Sequence, residues 1–148
     1  PTIAMPWGDV STAYHSTKIP NVEVHFESSP QIARMMKMPF FVKAFLGLPF
    51  MQAFLKRQID RQPEGPTDEQ RRTGRAILIA SARNAKGETV RSRLTTPEGY
   101  TLTAATGLAI VKRVLDGDFK AGFQTPSLAY GADFVLQFDN VRREDLNA

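Results

Sequence analysis

Apolar and polar positions follow two periods along this chain, and each predicts its own elements. In Asn21-Val22-Glu23-Val24-His25-Phe26, apolar and polar residues alternate. Val22, Val24 and Phe26 share one face and Glu23 and His25 the other, which predicts a half-buried strand. Arg75–Arg83 is apolar on both faces at Ile77, Leu78 and Ile79, which predicts a central strand. Asn84-Ala85-Lys86-Gly87 is a hairpin turn. The return strand runs over 89–95, with Val90 and Leu94 on one face and Arg91 and Arg93 on the other. Over 101–116 the period changes. Ala104, Leu108, Val111 and Leu115 fall on one apolar helical face, and Ala105 and Gly107 are small enough for close approach to a sheet. Lys112 and Arg113 suit the C-terminal end of that helix, and Gly117 stops it. Phe134-Val135-Leu136-Gln137-Phe138 predicts a short final strand, with a polar tail over 139–148.

The stretch from Ser28 to Arg61 is helical in composition but divided by proline. Ser29 and Pro30 form a helix start, and Pro39 and Pro49 interrupt the helical run beyond it. Short helices are expected over 30–38, 40–47 and 49–61. Phe40, Phe41, Phe45, Phe50 and Phe54, with Met35, Met36, Met38 and Met51, make this segment greasy. Lys37, Lys43, Gln52 and Lys56 intrude, so no transmembrane span is expected. Core packing, an oligomer interface, a lipid-contact surface and the wall of a lipophilic pocket all remain open for it. Residues 62–74 read as a polar linker in which Thr67 caps a short turn. Residues 1–20 read as irregular.

Composition narrows the class. A chain of 148 residues with 42% hydrophobic content suits one domain over 1–148. The net charge of +4 is scattered, with Arg71, Arg72 and Arg75, and Arg91 and Arg93, as its densest groups. That is a solvated surface rather than a nucleic-acid stripe. The absence of cysteine excludes disulfides and thiolate chemistry and fits a cytoplasmic location. No signal-peptide pattern opens the chain. It begins at Pro1 rather than methionine, as expected of a segment of a longer protein.

The catalytic inventory is sparse. There is no G-x-G-x-x-G, no P-loop and no G-x-S-x-G elbow. His15 and His25 are the only histidines, and no carboxylate is spaced to share a metal with them. His25 reads as a surface residue, and His15 lies in a hydroxyl-rich loop beside Tyr14. Asp9, beside Trp7 and Gly8, suits either general acid–base work or a turn bond to its own backbone. Two turn-framed islands flank the 101–116 helix: Thr96-Pro97-Glu98-Gly99-Tyr100, and Gly122-Phe123-Gln124-Thr125-Pro126-Ser127 running on to Ala129-Tyr130-Gly131-Ala132-Asp133. Loops held by a rigid helix are common places for function. Gln124 and Thr125 suit substrate hydrogen bonding and loop closure equally, and the first island reads as a strand-to-helix turn.

These islands, together with Met5-Pro6-Trp7-Gly8-Asp9-Val10, occur in an order that resembles the C-terminal half of the saccharopine dehydrogenase-like family. That family includes saccharopine reductases and trans-acting enoyl reductases. The resemblance covers essentially the whole chain, through short motifs whose order and spacing agree. It implies an α+β domain with a mixed, largely antiparallel sheet packed on one face by helices. It also implies a homodimer, and a parent oxidoreductase whose N-terminal Rossmann domain, absent from this chain, holds NAD or NADP. This segment would bind no cofactor or metal itself and would orient a small-molecule or lipid-like substrate. Trp7 and Tyr130 would wall the pocket; Asp9, Tyr14, Gln124 and Thr125 would supply hydrogen bonds. No catalytic residue is assigned. A stand-alone binding or assembly module, or a peripheral membrane or lipid-handling protein, remains as an alternative.

Overall fold

The computed structural model describes residues 2–30, 34–35, 37–62 and 64–146. They form an α+β structure with six α-helices and two antiparallel sheets. The chain divides into two compact units, Pro1–Glu64 and Gly65–Ala148.

In the first unit, β1 (Thr2–Ala4) pairs antiparallel with β2 (His25–Glu27), with Ile3 opposite Phe26. The expected strand from Asn21 is thus paired mainly at its end, although the Val24 carbonyl accepts a bond from the Met5 amide at 2.9 Å. Residues 8–17, expected to be irregular, form helix α1 (Gly8–Thr17). Its hydroxyls do not oppose the helix because they bond back to carbonyls one turn earlier: Thr12 to Asp9, Ser16 to Thr12 and Thr17 to Ala13. Lys18 ends it with a left-handed backbone, φ 61°.

Helices α2 (Phe40–Leu46) and α3 (Pro49–Ile59) come next, close to their expected bounds. The prolines start these helices: Pro39 is the N-cap of α2 and Pro49 opens α3, where a missing N–H costs nothing. The helix expected over 30–38 falls partly on residues 31–33 and 36, outside the described residues.

In the second unit, Thr67 and Gln70 form a reciprocal capping box at the start of α4 (Asp68–Thr73). Strands β3 (Arg75–Arg83) and β4 (Thr89–Pro97) make the predicted hairpin, with Leu78 opposite Leu94. Helix α5 (Gly99–Leu115), the short α6 (Pro126–Tyr130) and a 3₁₀ turn (Phe134–Gln137) lead to β5 (Arg142–Asp145).

In the second unit, three features differ from their sequence expectation. The strand order is β3-β4-β5, so β4 is central and β3 lies at the edge. The reason is β5, which the polar tail conceals. Its Glu144 sits opposite Arg93 and forms an ion pair with it, so charge complementarity recruits a strand with no apolar pattern. Second, Phe134 to Gln137 is a 3₁₀ turn rather than a strand. The Phe134 ring packs against Tyr130 at 5.1 Å and Phe138 at 5.4 Å, contacts that a coiled backbone brings together. Third, the Leu108 face of α5 turns outward. Leu102, Thr106, Ala109, Ile110 and Arg113 are its partly buried residues, whereas Leu108 and Leu115 are 72% and 82% exposed. At about 100° per residue, these two stripes lie roughly 180° apart. Ala105 is exposed, and nothing lies within 4 Å of a Cβ built on Gly107, so neither marks a close approach.

The core is small. Phe134, at 7% exposure, is the one fully buried hydrophobic among the described residues, accompanied by buried Thr96 and Thr125. Large apolar side chains stay outside this core: Ile77, Leu78 and Ile79 of the edge strand are 65%, 53% and 67% exposed.

Candidate functional site

The best-built constellation lies at the second island, where the chain turns back after α5. Gly117, at φ 83°, ends the helix. From there to Tyr130 a loop is closed by several independent bonds. Tyr130 Oη donates to the Asp118 carbonyl at 3.1 Å, Lys120 Nζ to the Leu128 carbonyl at 3.0 Å, and Gln124 Nε2 to the Ala121 carbonyl at 3.3 Å. Thr125 is buried and caps α6, its Oγ1 accepting from the Leu128 amide at 3.3 Å. These bonds close the loop, with Phe123 exposed beside Gly122.

Arg113 organises the base of this loop. Its guanidinium lies 4.9 Å from the Tyr130 ring centre and 5.3 Å from that of Phe134. It also donates to Asp118 Oδ2 at 3.2 Å and to Gln137 Oε1 at 3.3 Å. One cation thus joins α5, the loop, α6 and the 3₁₀ turn. A further pair, Arg143 to Asp133 at 2.6 Å, ties the turn to β5. The signal for Arg113 in the sequence is its spacing: it is four residues from Ala109 and three from Ile110, on the face that turns inward.

The first island is a strand-to-helix turn, as expected. Glu98 caps α5, its Oε1 accepting from the Tyr100 amide at 2.9 Å and its Oε2 from the Thr101 amide at 3.1 Å. These bonds, the Tyr100 amide first, hold its carboxyl below the ordinary glutamate range. Arg93 likewise lowers the Glu144 carboxyl, with Arg142 adding to the effect.

The six expected site residues fall into two groups. Gln124, Thr125 and Tyr130 come together in the second unit, where Thr125 and Tyr130 put their polar atoms into loop closure. Trp7, Asp9 and Tyr14 belong to the first unit. Trp7 packs on Phe26 with ring centres 4.7 Å apart, Asp9 lies in the first turn of α1, and Tyr14 meets the His15 ring edge-on at 5.9 Å. His25 is exposed and pairs with Glu23. Among the described residues, no group of three His, Cys, Asp or Glu side chains gathers to hold a metal, and no helix is long and apolar enough to cross a membrane.

No family model, curated protein or solved structure matches the chain. The geometry of the loop and helices, and the chain's own motifs, are what bear on its function.

Proposed function

We propose that this chain is the substrate-binding and dimerisation domain of a saccharopine dehydrogenase-like NAD(P)-dependent oxidoreductase, with the cofactor held by a separate Rossmann domain. The observation that carries this reading is the two-sided helix α5. A helix that is apolar on opposite faces belongs between two layers. One layer is α6 and the 3₁₀ turn, whose Tyr130, Phe134 and Gln137 meet Arg113; the stripe of Leu108, Val111 and Leu115 is left for a second. A cofactor domain seated there would lie beside the Asp118–Tyr130 loop. That loop, held by Arg113 and Thr125, suits the task of positioning a substrate against a nicotinamide. Calorimetric titration of NADH and NADPH into the purified chain tests the division of labour. No binding heat is expected up to about 1 mM. Saturable binding below that would place the cofactor site in this chain and overturn the reading.

A second reading, a lipid-handling protein, has its own support. Phe41 and Phe45 share a face of α2, Phe50 and Phe54 a face of α3, and all four are exposed. Phe45 and Phe50 meet edge-to-face at 5.9 Å, so the four form one ridge. Between Glu27 and Asp60 no residue is acidic and five are basic. An aromatic ridge on a basic tract suits an anionic lipid surface. Co-sedimentation with phosphatidylserine vesicles, reduced by Phe50→Ser, is the expected result under this reading; no co-sedimentation would discard it.

A further inference from the structure

We propose that β3 pairs edge to edge with β3 of a second copy, in one defined register, to make a continuous six-stranded sheet. This names the interface for the dimerisation part of the function proposed above, and it rests on that part alone.

The edge is open and undefended. β3 runs nine residues at the sheet margin, and no described strand lies beyond it. Exposed edges are normally blunted by charge, proline or a bulge. The interior of this one, Ala76 to Ala82, has no charged residue, proline or glycine. Its three large side chains are exposed on both faces of the sheet, Leu78 on one and Ile77 and Ile79 on the other. A strand apolar on both faces belongs inside a sheet.

The hydrogen-bond parity selects the groups available. The Asn84 amide bonds the Glu88 carbonyl, which continues the register of β3 on β4 and assigns the even residues of β3 to that pairing. On the other side of β4, the Leu146 amide bonds the Arg91 carbonyl, so the odd residues of β4 serve β5. The backbone N–H and C=O groups of Ile77, Ile79 and Ser81 therefore point outward from the edge.

Charge and apolar overlap together select the register. A two-fold axis at Ile79 would set Arg75 against Arg83 of the other copy at both ends, placing like charges opposite each other. An axis at Leu78 avoids this. It sets Ile77 against Ile79, Ala76 against Ala80 and Arg75 against Ser81, with the two Leu78 side chains meeting at the axis. Four outward-facing pairs then exchange about eight backbone bonds. One face gains a patch of four isoleucines, and the other gains Leu78 against Leu78 between alanines. Edge pairing alone covers less than the roughly 800 Å² per partner of a standard interface, so the dimer it makes dissociates on dilution.

Leu78 then forms a non-hydrogen-bonded pair across the axis, with Cα atoms about 4.5 Å apart, inside the range a disulfide accepts. These 148 residues contain no cysteine. In the full-length protein, Leu78→Cys is expected to give a disulfide-linked dimer under mild oxidation, and Arg83→Cys is not. Leu78→Lys is expected to raise the dimer dissociation constant by tenfold or more in sedimentation velocity, with an unchanged circular dichroism spectrum. Ile79→Pro removes an outward N–H without breaking the hairpin, and is expected to do the same. A dimer that persists in both variants, with no Leu78→Cys crosslink, would overturn the edge pairing and leave dimerisation standing. A wild-type protein that stays monomeric at high concentration would overturn both.

Discussion

Truncating Phe134 tests whether the core of the second unit is where the structure places it. A phenylalanine side chain carries about 200 Å² of mostly apolar surface. With 7% of Phe134 exposed, about 25 cal/mol per Å² gives roughly 4–5 kcal/mol for its burial. Alanine keeps part of that through its methyl group, and a compact denatured state lowers it further. Loss of the ring packing on Tyr130 and Phe138 adds about 0.5–1.5 kcal/mol. The net cost of Phe134→Ala comes to about 3–4 kcal/mol, close to the range for such truncations. Phe134→Leu keeps most of the volume and is expected to cost about 1–2 kcal/mol. Urea unfolding followed by far-ultraviolet circular dichroism reads both, with the midpoint falling and the slope unchanged. Leu115→Ala is the control: it lies on the outward stripe and is expected to change stability by less than about 0.5 kcal/mol. Equal losses at Phe134 and Leu115 would refute both the placed core and the assigned faces of α5.

Single residues elsewhere give further expected outcomes. Gly107→Ala is expected to stabilise the chain by up to about 1 kcal/mol, since helix propensity improves and the added Cβ meets nothing; a loss in thermal melting would restore the close approach read from sequence. Gly131→Ala should do the reverse, costing about 1–3 kcal/mol, because φ 90° is strained for any residue with a Cβ. Thr125→Ala, which removes a buried cap, is expected to cost about 1–2 kcal/mol, and Thr125→Ser to restore most of it. The Glu98 carboxyl is lowered in the folded state, so its stabilising contribution is fully present above about pH 4.3 and is lost as pH falls through the lower folded value. Glu98→Gln should flatten that part of the acid-unfolding curve, and an unchanged curve would remove Glu98 as a cause.

Signals confined to a few neighbouring residues were legible in the sequence. The Asn84–Gly87 turn, the Thr67 cap, and the prolines that start α2 and α3 each act through their own backbone. Choices that depend on a distant partner were not. Both stripes of α5 satisfy helical spacing, and only the contacts of Arg113 with Tyr130, Phe134 and Gln137 distinguish them. The apolar run at Phe134 suits a strand as well as a turn until Tyr130 supplies a ring to pack against. The strand β5 has no apolar pattern, and its recruitment depends on Arg93, about fifty residues earlier. That one hidden strand also explains why β3, which reads as central, lies at the edge. At the second island, Gln124, Thr125 and Tyr130 were legible as a group because they are close in sequence. Arg113, which joins the parts of that site, was marked only by its position on the inward stripe.

Under the proposed function, the outward face of α5 belongs against a dinucleotide-binding domain of the same protein. The most direct measurement is the coding sequence immediately upstream of Pro1. A strand followed by G-x-G-x-x-G and a helix is the predicted result. A start codon directly before Pro1 would contradict that placement.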